Sequence, residues 1–387
     1  MDLPAEILVR VLQNLDLKDL IRIELINHHF QDLIRNYPWR RVIVSTKKAA
    51  VIAFIIKNYQ FKKYDFSKSK ITDEIVCDLG SCHTLNLSKC RKITDSGVKH
   101  LGSCHTLDLS QCPNITDEGA KYLGNCHTIN LLKCKKITDQ GVKCLGNCHS
   151  IDLCGCEKIT DQGVKYLGNC HTINLSWCKE ITDAGVKYLE NCHIINLYQC
   201  EKITDSGVKH LRNCHSINLT GCKKITDAGE KYLGNCHTVN LCGCEKITDE
   251  GAKHLANCNT IELALCKKIT DAGVKHLINC YSLGLYKCNL ITDSSVKYLG
   301  NCHTLNLGFC NLITDESIKY LGNCHTLYLF GCNLITDSSV QCLKKCHYVD
   351  LSSGCNLVTA ECVKFLKNNN VNVWKDNHFE KIEKRNA

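Results

Sequence analysis

Residues 104–125 read Cys104-His105-Thr106-Leu107-Asp108-Leu109-Ser110-Gln111-Cys112-Pro113-Asn114-Ile115-Thr116-Asp117-Glu118-Gly119-Ala120-Lys121-Tyr122-Leu123-Gly124-Asn125. The first half alternates apolar and polar residues, the pattern of a half-buried strand, and turns Leu107 and Leu109 inward. The second half offers Thr116 or Asp117 as a helix cap, Ala120 and Leu123 three apart as its apolar side, and Gly124-Asn125 as its stop. These 22 residues therefore predict one strand, one turn and one short helix.

The unit repeats. Cysteines recur at 82, 104, 126, 148, 170, 192, 214, 236, 258, 280, 302, 324 and 346, thirteen positions at a constant interval of 22. A second cysteine follows eight residues later in each, from Cys90 to Cys332, and only the last slips, to Cys355. A strand and a helix this short cannot bury an apolar side alone, so neighbours must stack, strands on one side and helices on the other. At a strand spacing of roughly 4.8 Å, thirteen strands give a concave parallel sheet on the order of 60 Å long, the size of a protein partner and not of a metabolite. The flanks read as degenerate units: Trp39 to Val44, Tyr64 to Asp73, and Val371 to Val373, which lies 22 residues beyond Val349.

The string Cys-x-x-Leu-x-Leu-x-x-Cys followed by Ile-Thr-Asp resembles the cysteine-containing leucine-rich repeat, over about three quarters of the chain. The unit is shorter than that family's usual one, and a cysteine stands where a leucine would precede the strand. The resemblance implies an α/β solenoid, a leucine-rich-repeat horseshoe with a parallel concave sheet and convex helices.

Residues 1–41 do not follow the repeat. Leu3, Ile7, Leu8, Val11, Leu12 and Leu15, then Leu20, Ile23, Leu25, Ile26, Phe30, Leu33 and Ile34, fall at helical spacings and predict about three helices. Segments this short cannot complete a core, and they carry more apolar surface than a cap packed on the first repeat would need. The order Leu3-Pro4-Ala5-Glu6-Ile7-Leu8, Leu12, Leu15-Asp16-Leu17-Lys18-Asp19-Leu20, Asn27-His28-His29-Phe30 and Trp39 closely resembles the F-box. That resemblance implies a small three-helix domain docking on a Skp-type adaptor that leads to a cullin. Its contacts would be Leu3, Pro4, Glu6, Ile7, Leu8, Leu12, Leu15 and Leu20. The expected organisation is an F-box over 1–45, a linker helix with degenerate repeats over 46–81, thirteen repeats over 82–367, and a cap strand and tail over 368–387.

Composition narrows the function. Only three prolines occur among 387 residues, which argues for a continuous structured body. No apolar run approaches the ~18 residues that cross a membrane, and no signal peptide is recognisable, so cytoplasm or nucleus is expected, or host cytoplasm were a parasite or virus the source. There the 32 cysteines stay thiols. The net charge of +9 lies wholly in the repeats, because residues 1–45 hold six basic and six acidic side chains.

The repeated Cys-His pair suggests metal or thiol catalysis, but equivalent positions of a solenoid form straight ladders, not the converging set that zinc or a nucleophile needs. No metal, cofactor or catalytic residue is expected. The lysines at 99, 121, 143 and onward to 319 could form a basic stripe for nucleic acid. Each follows an aspartate by four, however, so a self-paired, solvated surface is the expectation, without nucleic acid. The histidine ladder should repel itself when protonated and make stability acid-sensitive.

In so uniform an array the variable positions carry the information. Leu132, Trp177, Tyr198, Leu265, Tyr286, Phe309, Tyr328 and Phe330 stand at outward positions of the concave strand, in clusters at 177–198 and 286–330, and such aromatics anchor protein interfaces. The sequence thus leads to a non-catalytic receptor that holds an adaptor at one end and an unknown protein substrate on its repeats. The alternative is a binding or decoy module with no ubiquitin role.

Overall fold

Each helix of the repeats is a single turn that Thr-Asp starts, with a glycine, or in three repeats Ser295, Ser317 or Ser339, two residues on. The helix Asp117–Ala120 has Thr116 as N-cap, whose hydroxyl accepts from the Glu118 amide at 3.2 Å. In this computed structural model, which describes residues 5–375 except for the Glu6 side chain, the same turn recurs at every interval of 22 residues from Asp95–Val98 to Asp337–Val340. The chain forms two compact units, Met1–Cys192 and His193–Ala387.

The first unit begins with α1 (Ala5–Leu12), α2 (Leu17–Glu24) and α3 (His28–Asn36). Asp16 caps α2 and Asn27 caps α3, each side chain accepting the amide three residues on. The strand β1 (Trp39–Ser45) follows, then α4 (Ala49–Asn58) and β2 (Phe61–Asp65). Five three-residue strands come next, β3 (Thr84–Asn86), β4 (Thr106–Asp108), β5 (Thr128–Asn130), β6 (Ser150–Asp152) and β7 (Thr172–Asn174). All pair in parallel with their sequence neighbours; from β3 on, register advances by one period, Leu107 facing Ile129 and Ile129 facing Ile151. Since β1 is hydrogen-bonded to β2, the sheet already starts inside the first 45 residues. The Trp39 side chain, fully buried, donates its indole N–H to Ile34 O at 2.7 Å and locks α3 to that strand.

The second unit repeats the design in nine parallel strands, from Ile194–Asn196 to Asn372–Trp374. Its last strand departs from the expected register: Val349 pairs with Val373, 24 residues on, and not with Val371. The extra residue before Cys355 and the nine-residue helix Ala360–Asn368 account for the shift.

Three ladders hold neighbours together. Leucine and isoleucine of each strand are buried. The second cysteine is buried and its thiol donates to a leucine carbonyl of the preceding repeat, Cys112 to Leu87 at 3.2 Å and Cys134 to Leu109 at 3.2 Å. Burial pushes the Cys134 thiol up to about 12, so it acts as a small apolar donor. The aspartate of Thr-Asp reaches forward: Asp161 accepts from the Thr182 amide at 2.8 Å and from its hydroxyl at 2.6 Å. That overturns the expected aspartate–lysine pairing. The lysines instead reach glutamates three residues back, as in Lys121–Glu118 at 2.6 Å, or lie over the next tyrosine, as Lys187 over Tyr188 at 4.9 Å from the ring centre. Tyrosines thus stand beside these lysines in several repeats, as Tyr188, Tyr232 and Tyr320 do. The glycine that follows many of the helices is not a left-handed stop; a Cβ on Gly124 would come within 2.3 Å of Cys144 O, whereas Glu190, Arg212, Ala256, Ile278 and Lys344 hold the same position in other repeats.

Candidate functional site

The outward strand positions are built by the backbone as much as by side chains. The residue between the two leucines is usually Asn or Asp, and its side chain accepts the amide two residues on, Asp108 from Ser110 at 2.8 Å and Asn130 from Leu132 at 2.9 Å. The next amide must point at the following repeat, Gln111 N to Leu132 O at 2.8 Å, with a left-handed backbone at that residue. Gly155, Gly221, Gly243 and Gly331 meet that demand without strain. Trp177 at φ 62°, Leu265 at 61° and Phe309 at 56° meet it against their steric preference. Lys89, Gln111, Lys133, Gln199 and Lys287 hold the same position at φ 56–63°, so the strain belongs to the turn of the repeat and does not by itself mark the bulky residues.

Of the eight outward residues picked from the sequence, Trp177 is exposed at 40%, while Leu132, Tyr198, Leu265, Tyr286, Phe309, Tyr328 and Phe330 are half-buried. In the first unit the ammonium of Lys179 lies 5.8 Å from the Trp177 ring centre. In the second unit Tyr286, Phe309 and Phe330 come together as a closed triangle: Tyr286 and Phe330 are 5.6 Å apart and tilted by 31°, and Phe309 stands nearly at right angles to both, 5.8 and 5.7 Å away. Lys287 sits over the Tyr286 and Phe309 rings, at 5.1 and 5.2 Å. Glycines make the seats: a Cβ on Gly308 would lie 2.5 Å from the Phe330 ring, and one on Gly331 2.5 Å from Phe309. Tyr328, at the Asn position of its repeat, packs on Tyr348 at 5.6 Å.

The N-terminal helices show two faces. Val9, Leu12, Leu20 and Ile34 are buried, which places Leu12 and Leu20 in the core of the helices and not on the surface expected for them. Ile7 is 47% exposed, Val11 60%, Leu25 81% and Ile26 64%. Leu8 and Leu15 are half-buried. Leu3, Pro4 and the side chain of Glu6 lie outside the described residues. Val11, Leu25 and Ile26 were visible as apolar helix positions, yet only burial separates the outer row from the inner one. Sequence reasoning also missed Glu24, 5% exposed, which accepts from Arg35 at 2.6 Å and from the Tyr59 hydroxyl at 2.5 Å, tying α2 and α3 to the end of α4. Burial and Glu24 raise the Tyr59 hydroxyl to about 12.

Among the described residues no group of three or more His, Cys, Asp or Glu is placed to hold a metal ion, and no helix is long and apolar enough to cross a membrane.

An F-box-like family model matches residues 1–45. A leucine-rich-repeat model matches residues 83–102, 105–124, 171–189 and 303–322. No curated protein matches the chain. Among solved structures, a chain of the Rad7 and Elc1 complex from yeast is 18% identical, covers 89% of this chain and 90% of its own, and has a TM-score of 0.52. An internalin, InlF, from Listeria monocytogenes is 20% identical over 78% of this chain and 82% of its own, with a TM-score of 0.49. The functional domain of InlJ from the same organism, which includes a cysteine ladder, is 16% identical over 81% and 66%, with a TM-score of 0.47. The chain is an F-box/leucine-rich-repeat protein-interaction module, with an F-box-like domain at residues 1–45 followed by leucine-rich repeats, an architecture typical of non-catalytic adaptors and receptors.

Proposed function

We propose that this protein is the substrate-recognition subunit of a cullin-type ubiquitin ligase, holding a Skp-type adaptor through its N-terminal helices and a protein target on the strand face of its repeats. The observation that carries this reading is a set of exposed apolar side chains, Ile7 and Val11 on α1 and Leu25 and Ile26 in the turn that follows α2, left outside although Val9, Leu12, Leu20 and Ile34 are already buried. Exposed apolar side chains in that number, on a short F-box-like domain, call for a protein to cover them. The Rad7–Elc1 structure, similar in fold, is that of a two-protein complex.

The chain would contribute position and no chemistry. A target fixed on the repeats presents its lysines to a ubiquitin-conjugating enzyme brought by the cullin, and the gain comes from effective concentration. Trp177 and the Tyr286, Phe309 and Phe330 triangle are the anchors, because large, preorganised, partly exposed aromatics dominate interface energies. Such a subunit would act in the cytoplasm or nucleus, where adaptor and cullin are.

The test is capture of a Skp-type adaptor by the wild-type chain and by an Ile7→Asp, Val11→Asp variant. Both positions are exposed, so the fold should survive, which circular dichroism would verify. Capture by wild type alone supports the receptor. Capture by neither would make the chain a leucine-rich-repeat binding or decoy module with no ubiquitin role.

A further inference from the structure

One side chain contradicts its surroundings. Where the neighbouring repeats place Val208 and Ala252 in the core, this position is Glu230, at 0% exposure, and neither carboxyl oxygen has a hydrogen-bond partner among the described residues. The groups that face it are all of the wrong sign or uncharged. Asp227 lies on its own turn and Asp205 on the turn before, while the thiols of Cys244, Cys258 and Cys266 are close enough to feel its charge. Both aspartates are already engaged forward, Asp205 by Thr226 and Asp227 by Thr248. The adjacent cation, Lys231, lies over the Tyr232 ring. From the following repeat, Gly251 gives Glu230 its room, since a Cβ there would collide with Oε2.

We propose that Glu230 makes its repeat a proton-linked weak point of the array, protonated while the turn Asp227–Glu230 is packed and ionised only when that turn opens to water. Burial, with Asp227 and Asp205 beside it, holds the Glu230 carboxyl up at about 9 in the packed state. In the opened state the carboxyl returns to its ordinary acidity and gives its proton to solvent. Between those two limits each rise in pH favours the open, ionised form, so local opening grows as pH increases. Buried carboxyl groups without a partner are stabilised by neutralising in this way. The repeat two units on, with Val274 at the equivalent position, has no such link.

The test is amide hydrogen exchange of the full chain at pH 6 and pH 8, corrected for intrinsic exchange, comparing residues 227–255 with residues 271–277. The opening constant of the Glu230 repeat should rise toward tenfold per pH unit, about 100-fold over this interval, and that of the Val274 repeat should not. Glu230→Gln should open equally at both pH values, and Glu230→Val should open less than wild type at both. A pH-dependent rise that persists in Glu230→Gln, or no rise in wild type, would overturn the proposal.

Discussion

Trp177 and Phe309 occupy the same left-handed position of two repeats but bear different loads. Trp177 is 40% exposed, so a glycine there removes less packing than one in the triangle would, and it relieves a backbone strain of about 1 kcal/mol. Trp177→Gly is expected to lose target capture at a smaller cost in stability than Phe309→Gly, which a pull-down and a thermal melt would read together. Phe309 is wedged against Tyr286 and Phe330, so Phe309→Gly should lose capture and about 1–3 kcal/mol of stability as well, seen as a lower denaturant midpoint. Equal stability losses in the two variants would show that the triangle is not a packed cluster. Both residues were visible in the sequence as outward bulk in a polar row. Their backbone strain was not, because a left-handed φ arises from the amide that must reach the next repeat, and nothing in Trp or Phe announces it.

A repeat of one strand and one helical turn gains its stability from bonds between neighbours. Asp161 is the clearest case, accepting two hydrogen bonds from Thr182 in the next repeat, and Ser295, Ser317 and Ser339 add a hydroxyl where other repeats keep a glycine under the same aspartate. Asp161→Ala should leave the Thr182 amide unpaired and lower stability by about 1–3 kcal/mol, with partial recovery in Asp161→Asn, which keeps one acceptor. Denaturant titration with equal loss in both variants would instead assign the effect to charge. The thiols give a second check at this scale. Cys77 and Cys342 are exposed, while Cys112, Cys126 and Cys134 are buried, with burial pushing each of those three thiols up to about 12. Brief alkylation at pH 8 should modify Cys77 and Cys342 first; early labelling of Cys126 would contradict the packing of the ladder. The strand, the turn and the cap were legible from period and residue type. The partner of the aspartate was not, because spacing within one helix points to the lysine four residues on, and a helix of one turn ends before that face exists.

At the scale of the molecule the period of 22 made the architecture readable, since one unit interpreted correctly is interpreted thirteen times. The N-terminal helices were readable as helices but not as faces: only packing shows that Leu12 and Leu20 look inward while Leu25 and Ile26 look out. Glu230 was hidden for the opposite reason, because a single glutamate in a charged protein attracts no notice until its position in the repeat is known to be core. Repetition also multiplies small effects, and the histidines test this. In the first unit His83, His105, His127, His149 and His171 stack ring on ring at 4.4–4.6 Å, and in the second His303, His325 and His347 do so at 4.4–4.6 Å. Lost hydration, then the like charge of both neighbours, lowers the affinity of His127 and His325 for a proton below that of a free imidazole. The unfolded chain therefore binds protons more readily than the folded one, and the stability that neutral histidines confer is fully present above the ordinary imidazole value and is lost as pH falls through it. The unfolding midpoint should drop between pH 8 and pH 5.5, and replacing His105, His127 and His149 with asparagine, the residue at 259, should flatten that drop. A midpoint already flat in wild type would show that stacked rings titrate as isolated ones. Glu230 acts in the contrary direction, weakening its repeat as pH rises, so Glu230→Val should steepen the net acid-side loss while the histidine variant reduces it.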